Sequence, residues 1–134
     1  MAIEHDLGQA ELEVLKALWD EGPGTVRSVL ETLHQKGRRV AYTTVQTMLT
    51  RLEQKGFVRS DRASLAFVYR PTVTRSQLTR SRLQQLLDQL YEGAAGPLVL
   101  QLLRTQRLRP EELQELQKLI DRLDTKTDTA DRRR

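Results

Sequence analysis

The sequence contains no cysteine, and this absence excludes disulfides, thiolate metal sites and thiol nucleophiles. Aromatic residues make up only 4% of the chain, so any hydrophobic core has to be built from leucine, valine and alanine. No apolar run approaches the roughly 18–20 residues that a transmembrane helix needs. Residues 1–6 also lack the basic-then-apolar order of a signal peptide. These absences predict a cytoplasmic protein without membrane insertion.

Residue types that carry catalysis or hold metals are also scarce. The only histidines are His5 and His34, and they fall in different predicted elements. Acidic residues near the start, including Glu4, Asp6 and Glu11, are better explained as carboxylates at the positive end of a helix than as metal ligands. Glycine-rich phosphate loops, nucleophile elbows and HExxH motifs do not occur in the sequence. We therefore predict no enzyme activity, no cofactor and no metal.

The net charge of +4 is concentrated in one part of the chain. Residues 36–82 hold eleven basic and two acidic residues, a net charge of +9, whereas residues 1–35 carry a net charge of −5 and residues 83–134 carry none. A positive segment of this kind is typical of a surface that meets phosphates, although many charged segments are simply solvated faces.

Apolar spacing predicts three helices in the first half of the chain. The first covers about residues 9–19 and ends at Gly22-Pro23-Gly24, because that triplet does not continue a helix. Thr25 is a good N-cap for the second helix, and Gly37 follows its end. The third runs from about Thr43 to Lys55, with an apolar stripe at positions 45, 48, 49 and 52.

Two short strands follow, at residues 57–60 and 66–70, joined by a polar turn with a basic residue. Pro71 ends the second strand. The order of helix, helix, turn, helix and hairpin is that of a winged helix-turn-helix. The predicted fold is therefore mainly α with a small β-hairpin wing, and residues 1–73 form the DNA-binding domain.

From Thr74 the pattern becomes entirely helical, and residues 74–124 are predicted to form a helical dimerisation domain. Three short leucine-rich helices do not bury all their apolar faces within about 60 residues, so pairing with a second copy is the simplest way to cover them. Packing against the N-terminal domain of the same chain is the alternative. Residues 125–134 are predicted to be a disordered tail. The predicted dimerisation residues are Leu83, Leu86, Leu87, Leu90, Leu98, Leu102, Leu113, Leu116, Leu119, Ile120 and Leu123.

The outward face of the third helix is the predicted site of base recognition. The N-terminal part of a recognition helix enters the major groove, where glutamine pairs with adenine and a threonine methyl packs on the thymine methyl. Threonine is a poor helix former, so its clustering on one helix suggests that this face is used. The predicted base-reading residues are Thr43, Thr44, Gln46 and Thr47, and a plain solvent-facing helix is the alternative.

Residues around this face are candidates for phosphate contact, which positions a protein on DNA without reading sequence. They are Arg38, Arg39, Tyr42, Thr50, Arg51, Lys55, Arg59 and Arg62. Tyr42 has the alternative of fixing the start of the helix. The predicted function is sequence-specific repression by a homodimer on double-stranded DNA. One alternative is a non-specific or architectural nucleic-acid binder, which would bind DNA without sequence preference. The other is a protein–protein module, which would not bind DNA.

Three segments, Leu7–Trp19, Gly22–Arg27 and Ala41–Gly56, together with the strand Phe67-Val68-Tyr69, resemble the BlaI/MecI penicillinase-repressor family. The resemblance covers about residues 5–123. It implies homodimers that clasp through their C-terminal helices and bind inverted repeats at promoters in a prokaryotic cytoplasm. It also implies control of β-lactam-resistance or cell-envelope stress genes.

In the best-known family members a membrane sensor-protease triggers cleavage of the repressor in its C-terminal region. The resemblance places that bond at Gln101–Leu102, where the family has an Asn-Phe pair, and neither residue matches. Copper-responsive relatives use C-terminal cysteines. This chain has none, which excludes copper sensing through thiolates.

Overall fold

The computed structural model describes residues 6–62 and 65–132. These ranges contain α1 (Gln9–Glu21), α2 (Val26–Gln35), α3 (Tyr42–Gln54), β1 (Val58–Arg62), β2 (Phe67–Pro71), α4 (Arg75–Leu90), α5 (Ala95–Thr105) and α6 (Pro110–Arg132). The order confirms the predicted fold, a winged helix-turn-helix followed by helices. Within the described ranges, no helix has the length and apolar character needed to cross a membrane.

The ends of the first two helices follow from local chemistry. Gly22 and Gly37 have φ values of 89° and 83°, a left-handed conformation that glycine adopts without steric cost, and each follows the end of a helix. Thr25 is the N-cap of α2, and its Oγ1 accepts a hydrogen bond of 3.1 Å from Ser28 N. The predicted cap and stops are confirmed.

The hydrophobic core lies where α1, α2, α3 and the hairpin meet. Each helix contributes one apolar stripe, and Phe57 fills the space between α3 and β1 with no exposed surface. Burying a side chain of this size contributes about 1.5–3 kcal/mol. The most deeply buried residues are Val14, Leu15, Leu18, Val45, Leu49, Leu52 and Phe57.

The two strands form an antiparallel hairpin in which Val58 pairs with Pro71 and Arg62 with Phe67. A further bridge joins β2 to the link before α2, since Gly24 N donates to Tyr69 O at 3.1 Å and Tyr69 N donates to Gly24 O at 2.8 Å. The hairpin is therefore held at its base by the helix-turn-helix rather than by the short strand pair alone.

The beginning of α4 belongs to the first unit. Leu78 is buried in its core, and Trp19 Nε1 donates to Val73 O at 2.9 Å. Arg75 donates to Asp20 at 2.8 Å, and this bond together with one from Lys36 lowers the pKa of the Asp20 carboxyl. The chain accordingly divides into two compact units at residues 85 and 86, inside α4, rather than at residues 73 and 74 as the pattern suggested.

Helix α6 continues to Arg132, through most of the stretch for which the sequence predicted a disordered tail. Its start is capped, because Arg109 N donates to Glu112 Oε1 at 2.9 Å and two glutamates lie in the first turn. The polar residues after Leu123 add no apolar stripe, but extending an existing helix costs far less than starting one. Residues 133–134 of the expected tail lie outside the described residues.

Candidate nucleic-acid interface

The predicted base-reading residues are brought together on one exposed face of α3. Thr43, Thr44, Gln46 and Thr47 are all exposed, while Val45, Leu49 and Leu52 face the core and are at most 1% exposed. Because the inner stripe fixes the rotation of α3, the outer stripe has a fixed direction as well. The outer face holds a shallow polar groove lined by Gln46, Thr47, Thr50, Arg51 and Gln54.

Four of the predicted phosphate contacts are exposed arginines that form no ion pair with another described residue, namely Arg39, Arg51, Arg59 and Arg62. Arg39 precedes α3, Arg51 lies on it, and the other two are on β1. The guanidinium of Arg62 lies 5.7 Å from the centre of the Phe67 ring, a cation–π contact across the hairpin. These arginines form the positive rim of the α3 face.

Lys55 and Arg38 are placed differently from the other predicted phosphate contacts. Lys55 Nζ donates to Glu11 Oε1 and to Asp6 O, both at 2.8 Å, so it ties the end of α3 to α1. Arg38 lies 3.5 Å from Glu13 Oε1. Lys55 follows Leu52 by three residues, which is the spacing of the buried stripe of α3. This spacing could have shown from the sequence that the Lys55 side chain lies on the inner side of the helix.

Glu11 is the buried partner of this ion pair, at 5% exposure. Burial by itself raises the pKa of its carboxyl, but the hydrogen bonds from Lys55 Nζ and Gly8 N, together with the nearby positive charges, lower it below the ordinary 4.5. The carboxylate therefore stays charged and closes the start of α1 through its bond to Gly8 N.

Acidification is expected to weaken the fold through Glu11. Since the folded-state pKa is lowered, the carboxylate stabilises the fold above pH 4.5, and this contribution is lost as the pH falls through the lower folded value. Glu11→Gln removes that dependence. Urea unfolding between about pH 5 and pH 3 should therefore show a smaller loss of stability in Glu11→Gln than in the wild type. Glu31→Gln, at an exposed position of α2, should behave as the wild type; equal losses in all three proteins would contradict this role.

The carboxylate of Glu53, on α3, is hydrogen-bonded to β1 of the hairpin wing, and sequence reasoning did not single it out. Glu53 Oε2 accepts hydrogen bonds from Ser60 N at 2.8 Å and Ser60 Oγ at 2.7 Å. Hydrogen bonds to a charged acceptor are short and strong. The hairpin and the exposed face of α3 are thus positioned as one surface.

Arg27 is another residue that the sequence did not single out. Its guanidinium lies 5.3 Å from the centre of the Tyr42 ring, at the start of α3, and both side chains are exposed. Arg27 belongs to the acidic first segment of the chain, so charge counting gave no signal for it. The contact brings a cation from α2 over the ring of Tyr42, whose hydroxyl is predicted to reach a phosphate.

A second surface lies in the C-terminal unit, where none of residues 86–126 is buried. The predicted dimerisation residues of this unit are exposed at Leu86, Leu90, Leu102, Leu113, Leu119, Ile120 and Leu123, and half-buried at Leu87, Leu98 and Leu116. Leu83 is also exposed, but it belongs to the first unit. Val99, Leu100 and Leu103 are also exposed and were not in the predicted set. A single chain thus leaves these helices without an apolar core.

Residues that other function classes would need are not gathered anywhere in the described ranges. No group of three or more histidine or acidic residues there is close enough to hold a metal. His34 Nε2 lies 2.9 Å from Val40 O, and His5 is outside the described residues. Gln101 and Leu102, the position of the family's cleaved bond, lie within α5 and are exposed.

The chain is similar to proteins of one family of repressors. A family model described as penicillinase repressor matches residues 7–122. The penicillinase repressor of Bacillus licheniformis is 30% identical over 86% of this chain and 89% of its own length. The methicillin resistance regulatory protein MecI of Mammaliicoccus sciuri is 25% identical over 88% of this chain and 95% of its own. A solution structure of monomeric Bacillus licheniformis BlaI in complex with the blaP half-operator is 33% identical, with a TM-score of 0.47, over 55% of this chain and 88% of that chain.

Proposed function

The chain belongs to the penicillinase repressor family, and on this premise we propose that it is a sequence-specific transcriptional repressor that binds inverted-repeat operators as a homodimer. The observation that carries the proposal is the exposed face of α3, which joins threonines and a glutamine to a rim of arginines. One such face on each protomer would read one half-site in the major groove, and two-fold symmetry of the dimer would be matched by the operator.

Base recognition is assigned to Thr43, Thr44, Gln46 and Thr47, which share the outer face of α3. Phosphate contact is assigned to Tyr42 with Arg27, and to the rim arginines that form no ion pair with another described residue, Arg39, Arg51, Arg59 and Arg62. Lys55 is assigned to the fold, since its Nζ is held by Glu11 and Asp6. Arg38 keeps a phosphate role only if DNA displaces Glu13 from its guanidinium.

Dimerisation is assigned to the apolar side chains of the C-terminal unit. Soluble monomers rarely expose a large contiguous apolar surface, because burying it is favourable by about 25 cal/mol per Å². We propose that a second copy of the chain covers these side chains. Two identical chains present the same apolar surface, and pairing these surfaces about a two-fold axis buries both of them.

A membrane sensor-protease is a proposed partner for the family's cleavage step only if α5 opens. The Gln101–Leu102 bond is inside a hydrogen-bonded helix, and proteolysis acts on the transiently opened state. Both residues differ from the Asn-Phe pair of the family. Repression in the bacterial cytoplasm needs no cleavage, because occupancy of promoter DNA excludes the polymerase.

The direct test is transcription in vitro from a promoter that carries the preferred site of the purified chain. Repression that disappears when the half-sites are scrambled supports the proposal. Equal repression of both promoters would instead favour a non-specific DNA-binding protein, the alternative that the rim of arginines favours.

Arg62→Ala is expected to weaken binding to the preferred site and to random duplex alike. A phosphate contact releases counterions without reading bases, so the slope of log K against log salt should flatten by about one unit for each protomer bound. Titrations of both duplexes at several salt concentrations measure this, with Arg80→Ala, exposed on α4, as the control. A loss confined to the preferred site would show that Arg62 reads bases.

A further inference from the structure

Two threonines of α3 have already used their only hydrogen-bond donor. Thr47 Oγ1 donates to Thr43 O, and Thr50 Oγ1 donates to Gln46 O, each at 2.9 Å. A hydroxyl has one hydrogen to donate and two lone pairs to accept with. Each side chain therefore offers DNA a γ-methyl group and an accepting oxygen, but no free donor.

This geometry changes the role of Thr50. Phosphate oxygens only accept hydrogen bonds, so a hydroxyl that has already donated within its own helix is not set to contact them. Thr50 also lines the same groove as Gln46 and Thr47. The predicted phosphate role of Thr50 is therefore replaced by a role beside the base-reading residues.

The major groove offers a matching partner for an outward methyl group. Among the base pairs, thymine alone carries an apolar group there, its C5 methyl, while the other exposed atoms are donors or acceptors. The back-bonds restrict χ1 of both threonines to rotamers in which Oγ1 reaches the carbonyl four residues earlier. Part of the side-chain ordering is thus in place before DNA binds, which lowers the entropy lost on binding.

We propose that Thr47 and Thr50 are specificity-determining residues that recognise thymine C5 methyl groups through their own γ-methyl groups. The inference rests on the proposed function and adds to it the class of base that this stripe selects. Gln46 lines the same groove, and its side-chain amide makes no hydrogen bond with another described residue, so both donors and the acceptor are available to a neighbouring adenine edge.

The test uses the full chain and the operator obtained by site selection. Each thymine of a half-site is replaced in turn by deoxyuridine, which keeps every hydrogen-bonding group and lacks only the C5 methyl. We expect affinity to fall about fourfold for each half-site at one or two positions, the effect of one lost methyl contact. Thr47→Ser and Thr50→Ser remove the γ-methyl group, so the affinity of each variant for the operator should fall by the same factor. Neither variant should then be sensitive to deoxyuridine at the positions that its threonine contacts.

Thr47→Val and Thr50→Val keep the methyl group and remove the hydroxyl, so they should bind the operator as the wild type does. Thr79→Ser is the matched control, because Thr79 makes the same back-bond, 2.8 Å to Arg75 O, on α4 outside this face. Circular dichroism would establish that each variant is folded.

Three results would overturn the proposal. A preferred operator that is insensitive to every deoxyuridine replacement would exclude methyl recognition while leaving the proposed function intact. A loss of affinity in the valine variants, with none in the serine variants, would assign the contact to the hydroxyl. Selection that yields no preferred operator would reject the proposed function together with this inference.

Discussion

Leu119→Glu and Leu102→Glu are each expected to convert the proposed dimer into a folded monomer. Leu119 is 51% exposed on α6 and Leu102 is 52% exposed on α5, so neither contributes to the core of its own chain. A charge placed in the dimer contact would be desolvated without a partner, which is costly. The variants should sediment as monomers, whereas the wild type should sediment as a dimer.

Loss of the dimer should also remove most of the affinity for an inverted repeat. Once one half-site is bound, the second binding event is intramolecular, and this gain is about 10²–10⁴-fold in avidity. Affinity for a single half-site should change little, because α3 and its rim are untouched. Gln114→Glu, an exposed polar position of α6 with the same change in charge, is the control and should remain dimeric. Two glutamate variants that both stayed dimeric would reject the assignment of this surface.

Gln46→Ala is expected to weaken the preferred operator far more than random duplex. A glutamine that pairs with adenine in two hydrogen bonds is worth about 1–3 kcal/mol of discrimination, and a symmetric operator contains the contact twice. The salt slope should not change, since no phosphate contact is lost. Competition titrations with operator and random duplex measure the ratio directly.

Gln35→Ala is the matched control for this substitution, because Gln35 is an exposed glutamine at the end of α2, outside the face of α3. It should leave the ratio unchanged. If Gln46→Ala lost the same affinity for both duplexes, Gln46 would not read bases and would instead contact the DNA backbone.

The winged helix-turn-helix could be predicted because its boundaries are local. Gly22 and Gly37 end helices by adopting left-handed backbone, Thr25 caps α2, and Pro71 ends β2. The stripe of valine and leucine in α3 also determined its outer face, so the exposure of the proposed base-reading residues could be predicted. Their contacts with DNA remain predictions.

The pairing of charges could not be predicted, because it joins residues that are far apart in sequence. Lys55 meets Glu11 across 44 residues, and Arg75 meets Asp20 across 55. A count of basic residues treats all of them as available to phosphate. The fold pairs Lys55 with Glu11, and it brings Arg27, from an acidic segment, over the Tyr42 ring.

The sequence predicts a disordered tail over residues 125–134, whereas α6 continues to Arg132. The residues after Leu123 are polar, which is typical of a disordered tail. The helix continues through them because each added residue gains a backbone hydrogen bond. The domain boundary also differed, since Leu78 is a core residue of the first unit although it lies on the helix that leads into the second.

Selection of binding sites from a random duplex library, followed by titration of the enriched sequence against salt, tests the central claim most directly. A dimer that reads DNA with α3 should enrich a motif with dyad symmetry, whose half-sites are separated by about one helical turn or a multiple of it. Binding that depends on salt but enriches no motif would contradict sequence-specific repression and would show that the arginine rim binds DNA without regard to sequence.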